Sequence, residues 1–255
     1  VRTFRIAALL FLPFFANVAE ANTPERTLRI GFLEFPPLAY PEKLWGNGKT
    51  GYVLEILKSV AKNLEIKEEF KEYPYKRVKI NLENGKDIDL FMCVPKAYQG
   101  KVKENYLMSE SLFRITATLF HAKSEPQITN INQLKNKTVI AVEGIEAALS
   151  QLSSTNKIDR ATDSKNAVDM LSKNRGKYLA DYGERILAHM KNAGVTSDFQ
   201  ALELFQMETG FCFTRSWPNA ESVLKKIHQN FRAIQASPEG KALAQKYELA
   251  GQFGE

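Results

Sequence analysis

Apolar positions along this chain switch between two periods, and the switching predicts strands and helices in a repeating order. Leu28 to Leu33 reads as a strand, and a loop carrying Pro36 and Pro37 follows. After Gly51 the apolar residues Val53, Leu57, Val60 and Leu64 recur at helical spacing. Ile66 to Tyr73 reads as a second strand, and Val78 and Leu82 mark a short helix that Gly85 can end in a left-handed conformation. Ile88 to Val94 is nearly all apolar, the pattern of a parallel strand covered on both faces.

The order then recurs. Lys137 to Val142 reads as a strand, with a helix from about Ile145. A second helix spans Asp163 to Ser172, with Ala167, Val168 and Leu171 on its inner face. Lys177 to Asp181 reads as a strand, and the next helix carries Ile186, Leu187 and Met190. Two α/β units of similar size are therefore expected, joined by the segment Arg114 to Ile128. The tail is helical: Ser216-Trp217-Pro218 is a start signal, Leu224, Ile227, Phe231 and Ile234 form an apolar stripe, and Ser237-Pro238-Glu239 begins a last helix.

The N-terminal residues add a compartment to this picture. Arg2 and Arg5 precede the apolar run Ile6 to Phe15, and Ala19 and Ala21 fit the small-residue pattern of a signal-peptidase site. The run is about half the roughly 20 apolar residues of a spanning helix. Residues 1–21 are expected to be a cleaved signal peptide, which places the mature protein in the periplasm. The net charge of +6 is spread along the chain without an Arg-rich block or a nucleic-acid motif, so a solvated lysine-rich surface is expected, and no nucleic-acid partner. His121, His189 and His228 stand far apart, and the chain's two cysteines, Cys93 and Cys212, lack metal-site spacing. No metal and no cofactor are expected.

Local phrases in this order resemble the type 2 periplasmic binding proteins, and within them the amino-acid-binding family (family 3). Leu28-Arg29-Ile30-Gly31 is similar to the opening strand, Phe35-Pro36-Pro37 to the aromatic-Pro loop, and Gly85-Lys86-Asp87-Ile88-Asp89 to the Gly-x-Ile-Asp strand entry. Gly51-Tyr52-Val53-Leu54-Glu55 resembles the start of the family's first helix, with Val53 in place of an aspartate. Met108 to Leu112, Ile131 to Val139, Gly210 to Phe213 and Lys246-Tyr247 resemble later phrases. The resemblance implies an α/β, two-lobed type 2 fold with two hinge strands, near 114–120 and 207–213. Residues 22–116 would open lobe one, 117–209 form lobe two, and 210–255 return to lobe one with the C-terminal helices.

It also implies a small polar ligand, an amino acid or a related compound, bound between the lobes. The expected partner is an inner-membrane ABC permease, served by a monomer that does no chemistry. Two rivals stand beside this reading: a cyclohexadienyl dehydratase-like enzyme using Glu34 or Asp181 as acid or base, and a sensor that signals to a membrane receptor.

The ligand site matches the family only in part. The carboxylate-clamping arginine falls on Lys101, a point charge in place of a planar fork. Hydroxyl residues at the end of the preceding strand become Cys93 and Val94, and the Gly-Ser or Gly-Thr of the second lobe becomes Gly144-Ile145. Asp181 matches the position that receives a ligand's amino group, or else caps the helix after it. Tyr75 and Phe35 are candidate stacking residues, and Glu34 a candidate contact for an amine. Tyr40, Trp45 and Tyr52 are read as packing. Cys93 and Cys212 would lie on neighbouring strands, as buried free thiols by default or as a disulfide.

Overall fold

In a computed structural model, residues 26–42, 48–94, 100–142, 145 and 152–249 are described. The signal-peptide expectation and Gly144 lie outside them.

Among the described residues the strands form one continuous ladder with two halves. The first half contains β1 (Leu28–Phe32), β2 (Glu68–Glu72), β3 (Leu90–Cys93) and β4 (Tyr106–Met108). The second contains β5 (Phe113–Ala122), β6 (Thr138–Val142), β7 (Lys157–Ala161) and β8 (Tyr178–Tyr182). The long strand β9 (Phe199–Thr214) runs through both.

Strand order is β2-β1-β3-β9-β4 in one half and β7-β6-β8-β5-β9 in the other. Parallel partners flank β1 (β2 and β3) in one half and β6 (β7 and β8) in the other, while the crossing strands β9 and β5 pair antiparallel with β3 and β8. The two halves therefore share one topology. The chain passes between them through β5 and β9, which pair antiparallel from Phe113–Thr209 to Ala122–Phe199 with a bulge at Ala117/Thr118.

The helices follow the predicted apolar stripes. Helix α1 (Tyr52–Asn63) buries Val53, Ile56, Leu57 and Val60 against Ile30 and Leu90 of the sheet. Helix α2 (Tyr75–Asn84) ends at Gly85, whose φ of 62° is the left-handed conformation that glycine adopts without a Cβ penalty. Helix α3 (Lys101–Asn105) is a short turn before β4.

In the second half, α4 (Ser164–Ser172) is capped by the Asp163 carboxylate, which accepts the Asn166 N–H at 2.7 Å. Helix α5 (Gly183–Asn192) follows β8 directly. A Cβ at Gly183 would sit 2.6 Å from Thr118 Oγ1 on β5, so only glycine lets this helix start so close to the crossing strand. Helices α6 (Ala220–Ala236) and α7 (Pro238–Lys246) return to the first half, where Leu224, Ile227, Phe231 and Ile234 join its core.

Four expectations are corrected. Ser216-Trp217-Pro218 forms a turn rather than a first helical turn, because Asn219 takes a left-handed conformation (φ 53°) and α6 starts at Ala220. Strand β7 was not foreseen: Lys157, Asp159 and Arg160 give an edge strand without an apolar run. Strand β9 begins at Phe199 rather than near 207, and its first ten residues, intermediate or exposed, carry no buried apolar run that would announce a strand. Finally, Cys93 and Cys212 are not free thiols. They form a disulfide that joins β3 to β9 across 119 residues of chain.

Candidate functional site

Parallel α/β sheets collect ligands beyond the carboxyl ends of their strands. Those ends converge here on a cavity of about 830 Å³ between the two halves. Its first wall comes from the end of β1 and the loop after it (Phe32, Leu33, Glu34, Phe35), from the end of β3 (Phe91, Cys93, Val94), and from Tyr75 at the start of α2. The opposite wall comes from Val142, Thr162, Ser164, Tyr182 and Arg185, and Ile115, Met207 and Thr209 of the crossing strands close the back.

Glu34, Phe35, Tyr75, Cys93 and Val94 are thus brought together at the cavity wall. Three other candidates are not. Lys101 stands exposed at the first position of α3, and its buried neighbour Val102 lines the cavity instead. Ile145 is 1% exposed and packs against Ala117 and Ala141. Asp181 lies beneath the wall, completely buried, with Ser164, Tyr182 and Arg185 between it and the cavity.

The partners of Asp181 explain its placement. Arg185, one helical turn along α5, donates Nε to Oδ2 at 3.1 Å and Nη2 to Oδ1, a bidentate pair. Ser164 Oγ donates to Oδ2 at 3.4 Å, and the Tyr182 N–H to Oδ1 at 2.8 Å. The acidic group expected to receive a ligand's amine is therefore held by the chain's own guanidinium. Arg185 is itself only 6% exposed, and its guanidinium carbon lies 5.4 Å from the ring centroids of both Phe35 and Tyr182. Those two rings meet across the cleft at 5.3 Å, one from each half.

Helix α5 makes two further contacts with the first half. His189 Nε2 stands 3.2 Å from Glu34 Oε1, an ion-pair distance without hydrogen-bond alignment. Lys191 pairs with Glu248 just beyond α7. At its start, the Glu184 carboxylate accepts the Thr116 N–H of β5 at 3.1 Å. Burial pushes the Glu184 carboxyl above the usual 4.5, more than the hydrogen bonds pull it down.

Arg185, Tyr182 and His189 were not singled out from the sequence. The signal available was the spacing: Arg185 and His189 stand four residues apart on one face of α5, and Arg185 follows the strand-end Asp181 by four residues.

Among the described residues, no group of three or more His, Cys, Asp and Glu side chains is arranged to hold a metal ion, and no helix is long and apolar enough to cross a membrane.

No protein-family model matches the chain, and no curated protein sequence matches it. Solved structures do. An ancestral arginine-binding protein bound to arginine superposes with a TM-score of 0.71 at 22% identity, covering 88% of this chain and 99% of that one. A substrate-binding protein of an ABC uptake transporter from Streptococcus pneumoniae, with bound histidine, gives 0.72 at 18% identity, covering 89% and 94%. The ancestral amino-acid-binding protein AncCDT-1, a precursor of cyclohexadienyl dehydratase, gives 0.69 at 18% identity, covering 87% and 95%. With the shared topology of the halves and the cavity between them, these similarities identify the fold: the chain has the two-lobed, type 2 periplasmic-binding-protein fold.

Proposed function

We propose that the chain is a periplasmic solute-binding protein that captures a small organic ligand between its lobes and delivers it, as a monomer, to an inner-membrane ABC permease. The cavity carries this reading: both lobes and both crossing strands contribute to its wall, so a ligand there favours the closed form by touching each at once. The disulfide fits an oxidising compartment. Residues 117–209 are the proposed moving lobe, turning about β5 and β9.

Native mass spectrometry of protein purified from its own periplasm tests the proposal. A mass increment lost on denaturation is the expected result. An unchanged mass, with no binding from a whole-cell metabolite extract, would overturn it.

The dehydratase reading has one observation in its favour: Glu34, a carboxylate on the cavity wall, stands 3.2 Å from His189. Turnover of prephenate or arogenate by the purified protein would establish that reading instead.

A further inference from the structure

We propose that the cavity selects an organic acid with a bulky apolar body and no α-ammonium group, its carboxylate held by Arg185. The inference rests on the solute-binding reading and narrows its ligand class away from free amino acids.

An α-amino acid needs partners for its ammonium group, and a carboxylate is the strongest of them. The position that would supply one on lobe two is Asp181, and it is already engaged. Both of its oxygens accept from Arg185, which is clamped at the same time between Phe35 and Tyr182. An incoming ammonium would have to displace a bidentate guanidinium from a buried partner. One removed partner of such a pair leaves a buried charge uncompensated, which is strongly unfavourable.

What lobe two offers the cavity is the guanidinium itself. It carries five N–H donors, of which Asp181 accepts from two nitrogens, and its position is held fixed by the pair and the two rings. A preorganised fork of this kind suits a carboxylate.

The other charged groups on the wall do not supply an ammonium site of equal quality. Glu34 is half-buried, and its Oε1 stands 3.2 Å from His189 Nε2 without hydrogen-bond alignment, so an ammonium there would compete with the imidazole for the carboxylate. Glu72, Lys76, Lys79 and Asp163 are exposed at the rim, where water screens them. Asp163 also caps α4. Glu83 is half-buried on the far part of α2.

Size and lining point the same way. About 830 Å³ lies in the upper part of the roughly 300–1,000 Å³ range of sites that enclose drug-sized ligands. Phe32, Leu54, Leu57, Phe91, Val102 and Ile115 give the interior an apolar wall from the lobe-one core and the crossing strand. A compact polar solute leaves that surface wet, whereas an aryl or branched alkyl body covers it.

The test uses matched probes on the full mature chain by isothermal titration calorimetry. The series are 3-phenylpropanoate, phenylalanine and phenethylamine, and 4-methylpentanoate, leucine and 3-methylbutylamine. Binding of a deaminated acid at least about tenfold tighter than its amino-acid parent, with the amine weaker still, supports the inference. An amino acid that binds as tightly as its deaminated partner, or no binding by any of the acids, overturns it. A retained ligand of other chemistry overturns it too, but leaves the solute-binding function standing.

Arg185→Gln supplies a second readout, because it frees Asp181: acid binding should fall at least about tenfold and amine binding should appear. Should that variant fail to fold, Asp181→Asn combined with Arg185→Gln removes both charges, and it should erase the preference between acid and amine. A double variant that keeps the parent's preference for the acid would show that Arg185 is not the carboxylate's partner.

Discussion

Each half of the molecule holds one aspartate that is completely buried and paired with arginine, yet the two stand at opposite ends of their strands. Asp89 precedes β3, at the amino ends of the parallel strands. It accepts Arg29 Nε at 2.8 Å, Arg29 Nη2 at 2.9 Å, the Arg29 N–H at 3.0 Å and Arg26 Nη2 at 3.1 Å. Asp181 is the penultimate residue of β8, at the carboxyl end, and its arginine forms part of the cavity wall. The same chemistry therefore fastens the chain at one end of a sheet and shapes a binding surface at the other. Strand direction, rather than the pair itself, separates the two roles.

The partners' exposure sharpens the contrast. Side chains of Arg29 and Arg26 are 40% and 37% exposed, while that of Arg185 is 8% exposed. Deleting either aspartate orphans arginine, but Arg185 has far less access to water than Arg29 or Arg26. Asp181→Ala should therefore be the costlier change, at about 3–5 kcal/mol of stability, the range for breaking a buried pair. Urea denaturation of the ligand-free protein measures it. Asp89→Ala should cost about 1.5–3 kcal/mol, the range for hydrogen bonds to a charged group, because its arginines can turn to solvent. Ligand affinity provides the second axis: it should change in Asp181→Ala and stay at the parent value in Asp89→Ala. Equal stability losses, or an affinity change in Asp89→Ala, would break the comparison.

Why one aspartate could be interpreted from sequence and the other only in part follows from the same geometry. Asp89 opens an apolar run after a glycine, so its place at a strand entry is legible. Asp181 is equally legible as the end of a strand, whereas Phe35, Cys93 and Val94 come from the family resemblance and Glu34 from its place as a carboxylate of the first loop. A strand end does not say which way Arg185 folds. Spacing by four allows the arginine to reach back to Asp181 or out into the cleft, and the Phe35 ring from the other lobe is part of what fixes it. Counting along the chain placed Lys101 in the site, although the helical turn that starts there directs Val102 inward. In the fold, β1, β3 and β8 announce themselves by buried apolar runs. β7 does not, because an edge strand half open to water needs no such run.

Acid should separate the halves further. Burial raises the Asp89 carboxyl, but the Arg29 hydrogen bonds and charge reverse that effect and hold it below the usual 3.8. A depressed folded value means that this stabilisation is fully present above 3.8 and is lost as pH falls below it. The denaturation midpoint should drop over that interval, and in Asp89→Asn the drop should be shallower. An identical acid limb in the variant would remove Asp89 from the account.

Glu184 gives the smallest effect and the opposite sign. It lies in the first turn of α5, where its carboxylate accepts the Thr116 N–H beside the β5 bulge. Desolvation is the largest influence on it and raises its value above 4.5, with the nearby Glu203 adding to the rise. A raised folded value means the native state holds this proton more tightly than the unfolded chain. The associated stability is present below 4.5 and is lost as pH climbs from there through the folded value. At neutral pH the charge is therefore a cost that the Thr116 hydrogen bond only partly offsets. Glu184→Gln keeps an oxygen for that N–H and removes the charge, so stability at neutral pH should stay within about 1 kcal/mol of the parent, on the side of a gain. The parent's decline from pH 4.5 toward neutral should flatten in the variant, while the Asp89 limb at lower pH remains. Urea midpoints of both proteins across that range decide it: a parallel decline in Glu184→Gln would mean that the carboxylate facing Thr116 is not the group that titrates.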